Sequence, residues 1–462
     1  MKKKNLRSKE WFDNPNDPGL TALYLERYLN YGLKKEDLQS GKPIIGIAQS
    51  GSDLSPCNRH FQVLSKTIKD GIREAGGVPM EFPTHPIQET GKRPTAALDR
   101  NLSYLSLVEV LYGYPIDGVI LTTGCDKTTP AALMAAATVN IPSIVLSGGP
   151  MLDGSYKGKK AGSGTIIWEA RKLHAKGEIN YDEFMDMAAA SAPSIGHCNT
   201  MGTASSMNSI AEALGMSLTG GAIIPAPYKE RETISFETGK RIVEMVHEDL
   251  TPSKIMTKEA FENAIYVASA IGASSNCPPH LTAIARHMGI DLSIDSWEKL
   301  GHDIPLLVNC QPAGEYLMEG FFKAGGIPAI MQELMKNNKL HKNVMTVTGK
   351  TVEENLNIKI NINESVVKSF KSPLVENAGF IVMKSNFFSS AVMKTSVISE
   401  EFRKRYLSNP KHPNIFEVRA IVFEGPEDYH KRINDENLKI DENSILMIRG
   451  CGPVGYPGSA EV

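Results

Sequence analysis

From residue 43 onward the chain alternates short apolar runs with segments of helical period. No other feature constrains its fold as strongly, because strand, helix and strand in succession close most readily as a parallel sheet with crossover helices. PIIGIAQS (43–50) reads as a strand. After a polar loop, Phe61, Leu64, Ile68, Ile72 and Ala75 recur at spacings of three and four, drawing one apolar stripe on a helix closed by Gly76 and Gly77. DGVILTT (117–123) and PSIVLS (142–147) are two further strands. Between them TTPAALMAAATV predicts a helix that begins almost directly after Cys125, with a threonine cap and with Pro130 in the first turn. Ala204, Met207, Ala211 and Leu214 mark another helix ending at Gly215, and helices are expected over 229–247 and 258–268. The expected architecture over residues 1–370 is a large three-layer α/β/α domain with a parallel sheet.

Near residue 370 the texture changes. GFIVMKSNFFSSAVMKTSVI, FEVRAIVFEG and NSILMIRG are β-rich runs separated by turns, without regular intervening helices. They predict a second, mostly β domain over 371–462. A length of 462 residues with 41% apolar content accommodates two such units.

A net charge of −2 gives no basic face for nucleic acid or an anionic membrane surface. The start, MKKKNLRSKEWFDNP, is basic but lacks an apolar stretch behind it, and no run of 18 apolar residues occurs, so neither a signal peptide nor a membrane span is expected. Six cysteines in so long a chain, without CxxC pairs, argue against a disulfide scaffold or a structural zinc site and for a reducing cytoplasm.

Three of those cysteines fall at loop–helix junctions. Cys57 follows the first strand in SGSDLSPC, Cys125 follows the strand at 117–123, and Cys198 in SIGHCNTMGT precedes a helix start. Ligands of open parallel sheets bind outside the carboxyl ends of strands, so Cys57 and Cys125 should approach one crevice. Positive helix ends should favour thiolates at Cys125 and Cys198. A lone free cysteine is most often a small buried hydrophobe, the reading given to Cys277, Cys310 and Cys451. Three thiolates leave a cluster iron without a fourth protein ligand, able to act as a Lewis acid. Asp126 is a hard oxygen donor suited to a divalent cation. Lys127 beside it is the odd member, since an ammonium repels a cation and would ordinarily turn to a solvated salt bridge. Glu89 and Glu461 are further oxygen donors, although most carboxylates are surface charges.

PCN at 56–58, GCDKTTP at 124–130, HCNTMGTASSMNSIAEALGMSLTG, GGIPAIMQELM, TVTGKTVEENL and GPVGYPGSAEV together resemble the dihydroxyacid and sugar-acid dehydratase superfamily, collinearly over essentially the whole chain. ETGKRPTAALDRNL and MKTSVISEEFRKRYLSNP look most like its pentonate branch. The resemblance implies a hydro-lyase that converts an aldonate, a pentonate such as xylonate, to the 2-keto-3-deoxy acid. It implies that Cys57, Cys125 and Cys198 hold an iron–sulfur cluster, 2Fe–2S rather than 4Fe–4S. It further implies that Glu89, Asp126, Glu461 and a carbamylated Lys127 surround Mg2+, which would account for the lysine. A homo-oligomer, dimer or tetramer, and a barrel-like C-terminal domain are implied as well. The alternatives are a dihydroxyacid or 6-phosphogluconate dehydratase, or a non-catalytic sugar-acid-binding relic. One departure stands out: members of the superfamily carry an Asp-Gly-Arg-x-Ser-Gly motif whose serine is the implied general base, and the chain stops at Val462, before it. The expectation is therefore a truncated β domain whose catalytic serine lies beyond Val462, leaving His85 and His197 as the nearest candidates for a base within the chain.

Overall fold

The computed structural model describes residues 6–30, 32–89, 97–386, 389–413 and 415–451. Four parallel strands form the central sheet: β1 (Ile44–Gln49), β2 (Val78–Pro83), β3 (Gly118–Thr123) and β4 (Ser143–Ser147), in the order β2-β1-β3-β4. Every residue of β1, β3 and β4 is buried, as expected of strands covered on both faces. Ile47 stands opposite Ile120, and Leu121 opposite Val145.

Helices cover the sheet: α1 (Phe61–Glu74), α2 (Ala97–Gly113), α3 (Thr128–Val139), α4 (Thr203–Ala213), α5 (Lys229–Glu248), α6 (Lys258–Ala270) and α7 (Cys277–His287). The apolar stripe read on α1 is the buried face, with Phe61, Leu64, Ile68 and Ile72 all in the core. In α3 the alanine-rich stretch from Thr128 to Ala137 is buried on every side, because small side chains let it pack closely with α2, α4 and α7. The approach of α1 to α5 depends on two glycines. A Cβ on Gly71 would stand 2.1 Å from the Phe236 carbonyl oxygen, and one on Gly239 would stand 2.4 Å from that of Ile68.

Beyond residue 370 two small sheets are described. β5 (Phe380–Met383) and β6 (Ala391–Lys394) form an antiparallel hairpin. β7 (Arg419–Phe423) and β8 (Ser444–Ile448) pair in parallel, with a helix, α8 (Pro426–Arg432), between them. This corrects the expectation of strands without intervening helices. Parallel neighbours need a crossover connection, and PEDYHKR, with acidic residues at its start and basic residues at its end, supplies the helix for one. The segment GPVGYPGSAEV, which ends at Val462, lies outside the described residues, and with it the expectation that the β domain is cut off there.

Candidate active site

β1 and β3 are neighbours in the sheet, but β2 lies on the far side of β1, so the direction of winding reverses between them. Loops leaving the two carboxyl ends diverge at such a switch point and leave a crevice, the usual place for a ligand in an open α/β sheet. Both loops carry the candidate residues. β1 leads to a short 3-10 turn, Pro56–Asn58, that bears Cys57, while β3 leads through Gly124 to Cys125, Asp126 and Lys127 before α3 begins.

The loops are tied together by backbone contacts. Asn58 Oδ1 accepts the Cys125 N–H at 2.9 Å. Gly124 permits that approach, because a Cβ there would stand 2.3 Å from the same oxygen. Thr128 Oγ1 accepts the Gly124 N–H at 3.1 Å and donates to the Cys125 carbonyl at 2.7 Å, closing the turn into α3. Asn208, on α4, donates to the Gly124 carbonyl at 3.0 Å.

Around the sulfurs, Gln88 Nε2 donates to Cys57 Sγ at 3.1 Å, and the Glu89 N–H points at Cys125 Sγ from 3.4 Å. Cys125 Sγ lies 3.7 Å from Asp126 Oδ1, and Lys127 Nζ donates to Asp126 Oδ2 at 2.9 Å. Asp126 and Lys127 are wholly buried, so the lysine does not turn to a solvated salt bridge. Cys198 comes in from the loop before α4, where Ser163 Oγ donates to its sulfur at 3.3 Å.

The three thiols behave differently. The Cys125 thiol donates to Cys57, which lowers the pKa of Cys57 and correspondingly raises that of Cys125. Burial, reinforced by the charge of Cys57, pushes Cys198 up to about 12. The expectation that helix ends make thiolates of Cys125 and Cys198 is therefore corrected: the hydrogen bond with Cys57 and burial raise Cys125, burial raises Cys198, and of the three only Cys57 is shifted toward the thiolate.

The structure thus brings Cys57, Cys125, Asp126, Lys127 and Glu89 to one crevice, with Cys198 within electrostatic reach of Cys57, Glu89 and Asp126. Glu461 and Val462 lie outside the described residues, so neither the expected metal ligand at 461 nor the serine expected beyond Val462 can be placed against the crevice. Cys277 and Cys310 are buried as expected, whereas Cys451 is exposed, and all six cysteines are free. His85 is exposed, and burial pushes His197 down to about 3, leaving it a neutral ring. Sequence reasoning missed Asn58, Gln88 and Ser163. Asn58 and Gln88 are chain neighbours of proposed ligands, and that adjacency was their only signal.

Among the described residues no group of three His, Cys, Asp or Glu side chains stands arranged to hold a single metal ion. The donor set nevertheless suits two different groups: soft thiols on one side, hard carboxylates on the other, and bridging sulfides would let a cluster span thiols more widely spaced than one ion requires. Among the described residues no helix is long and apolar enough to cross a membrane.

An α/β enzyme with thiols and carboxylates meeting at its switch point is what these features define. The chain matches the family models described as dihydroxy-acid/6-phosphogluconate dehydratase N-terminal, over residues 42–355, and C-terminal, over 365–462. It belongs to this family, and its class is that of the carbon–oxygen hydro-lyases. The chain is 61% identical over 459 residues to D-xylonate dehydratase of Caulobacter vibrioides, covering 99% of this chain and 77% of that protein. It is 45% identical to L-arabinonate dehydratase of Rhizobium leguminosarum bv. trifolii, over 100% of this chain and 78% of that protein. It is 35% identical to dihydroxy-acid dehydratase of Caldanaerobacter subterraneus, over 94% and 77% respectively. Iron–sulfur and Mg2+ dependence is a property of the family.

Proposed function

We propose that the chain dehydrates a pentonate, with D-xylonate the first candidate, to the 2-keto-3-deoxy acid. The observation that carries the reading is the junction of soft and hard donors at the switch point, with Cys125 Sγ 3.7 Å from Asp126 Oδ1. The similarity to xylonate and arabinonate dehydratases supports the substrate class. Cys57, Cys125 and Cys198 would hold the cluster, of the 2Fe–2S type, and Glu89, Asp126, Glu461 and a carbamylated Lys127 would hold Mg2+. When bound, these groups supply Lewis acidity toward the leaving 3-hydroxyl and stabilise enolate-like charge from C2 deprotonation.

The protein's own contribution is placement. Asn58 ties the two cysteine loops together, Gln88 holds the Cys57 sulfur, and burial of Asp126 and Lys127 excludes water from the carboxylate side. Lys127 Nζ, enclosed next to Asp126, is where a carbamate would add an oxygen donor to the same face. No base is assigned among the described residues. The reading also takes residues 1–370 as the α/β domain, 371–462 as a barrel-like domain, and the protein as a cytoplasmic homodimer or homotetramer.

The test is turnover of xylonate, arabinonate, gluconate and dihydroxyisovalerate by anaerobically purified, Mg2+-supplemented protein. Preference for a pentonate is expected. Good activity on another acid with none on the pentonates would overturn the substrate assignment, and binding without turnover of any acid would favour a sugar-acid-binding role.

A further inference from the structure

Two buried groups in contact, Arg100 and His280, lead toward Lys127, and neither is paired with an acid. Arg100, in the first turn of α2, is 7% exposed, and among the described residues its guanidinium meets only neutral acceptors: Asn101 Oδ1 at 3.1 and 3.0 Å, and His280 Nδ1 at 3.0 Å. A guanidinium can only donate, so Nδ1 of the histidine accepts and the ring proton sits on Nε2. His280 is 4% exposed, and its Nε2 has no partner among the described residues. Burial, then the charges of Arg100 and Lys127, keep this ring neutral. Buried charges are ordinarily paired and buried donors ordinarily satisfied, so both groups lack something.

Helix packing puts the pair at the crevice end of its layer. α3 packs on both α2 and α7, and near its end Thr138 Oγ1 lies 3.0 Å from Nδ1 of His287, the last residue of α7, and 3.2 Å from Oη of Tyr104 on α2. The step from Arg100 to Tyr104 along α2 therefore matches the step from His280 to His287 along α7. The two helices run in the same direction, and their first turns lie beside that of α3. Lys127 immediately precedes α3, and its charge is one of those acting on His280. Helix starts carry positive potential, and here three of them accompany an unpaired guanidinium and an unpartnered N–H, a setting that favours an anion.

We propose that His280, held by Arg100, positions a carbamate on Lys127 by donating its Nε2–H to a carbamate oxygen. The inference rests on the reading of Lys127 given above. Carbamylation inverts the charge of the side chain. The ammonium releases two protons overall, its nitrogen bonds to the carbon of carbon dioxide, and one C=O π pair moves onto oxygen, so a cation becomes a monoanion. As an ammonium, Lys127 pairs with Asp126 but adds a further donor and positive charge beside His280. As a carbamate, it supplies the acceptor that His280 lacks and the negative charge that Arg100 lacks, and its second oxygen stays available as a hard donor alongside Asp126. Arg100 acts through His280, so both are positioning residues.

The test compares anaerobically purified wild type with His280→Leu, His280→Gln, His280→Asn and Arg100→Met. Three quantities are read: the Lys127 carbamate, trapped as its ethyl ester and detected by mass spectrometry; the bicarbonate concentration for half-maximal Mg2+ uptake; and iron content. His280→Leu should raise that bicarbonate concentration by roughly 10- to 100-fold, the usual worth of a hydrogen bond to a charged group, with iron content unchanged. His280→Gln carries an amide N–H near the place of Nε2 and should recover part of the loss, His280→Asn is too short to do so, and Arg100→Met should shift the dependence less than His280→Leu but in the same direction. Wild-type bicarbonate dependence in His280→Leu overturns the proposal, because a histidine that only packs would change Tm and leave that dependence where it was. If the Leu variant does not fold, Gln against Asn decides, and equal bicarbonate dependence in the two overturns it. Absence of any carbamate on wild-type Lys127 sinks the reading of that residue and this inference together, whereas a carbamate present in wild type and undiminished in the variants sinks this inference alone.

Discussion

The side-chain oxygen of Asn58 accepts the backbone N–H of Cys125 at 2.9 Å, joining two loops 67 residues apart in the chain. Each loop carries a thiol, and this bond sets how the thiols face each other. Gly124 gives way to it, since any β-carbon there would meet the same oxygen. Asn58→Ala should leave the Cys125 N–H without its partner at a cost of about 1–3 kcal/mol. Gly124→Ala should force the loops apart. Both variants should retain the fold by circular dichroism and lose iron; full iron content in Gly124→Ala would show that the loops tolerate separation.

For the cluster ligands, Cys57→Ser, Cys125→Ser and Cys198→Ser should each abolish acid-labile sulfide and visible absorption in anaerobically purified protein. Cys277→Ser should not. Colourless wild type, or three variants that all keep their sulfide, would refute the assignment.

Lys127 and Asp126 form a buried pair at 2.9 Å, and breaking such a pair by removing one member typically costs about 3–5 kcal/mol. Lys127→Met should therefore lower Tm as well as weaken Mg2+ retention. Adding Asp126→Asn to it should restore much of the Tm but none of the Mg2+ binding, and the double-mutant comparison separates the two effects. If Lys127 is carbamylated, bicarbonate should promote Mg2+ uptake by wild type and have no effect on Lys127→Met.

His60 donates through Nε2 to the Gly148 carbonyl at 2.8 Å, and burial pushes its pKa down to about 4, with the Arg231 charge acting in the same direction. Because the folded value lies below the unfolded 6.5, the unfolded chain takes up the proton first. Stability from the neutral ring is complete above pH 6.5 and is lost as pH falls toward 4, by at most about 3 kcal/mol. His60→Gln retains a donor without the titration, so its Tm should fall less than that of wild type between pH 7 and 5. Parallel acid limbs would show that His60 does not contribute.

At the contact of α1 with α5, Gly71→Ala places a methyl group 2.1 Å from the Phe236 carbonyl oxygen. Neither helix backbone can yield cheaply, and overpacking of this kind costs about 1–3 kcal/mol. Chemical denaturation should register the loss while iron content in the folded protein stays unchanged.

The sequence by itself determined the parallel sheet, since runs such as IIGIAQ and GVILTT are apolar on both faces and only a doubly covered strand satisfies them. It also placed Cys57 and Cys125 after strands and Cys198 before a helix, because loop–helix junctions announce themselves through threonine, proline and glycine. The strand order was not legible. Whether β2 adds outside β1 or beside β3 depends on crossover packing, and that choice creates the switch point where the two loops meet. Thiol ionisation was equally beyond local reading: proximity to a helix start is visible in the chain, but the burial that raises Cys198 to about 12 is a property of the packed crevice. The helix between β7 and β8 was lost in a short charged segment whose role depends on strands pairing in parallel.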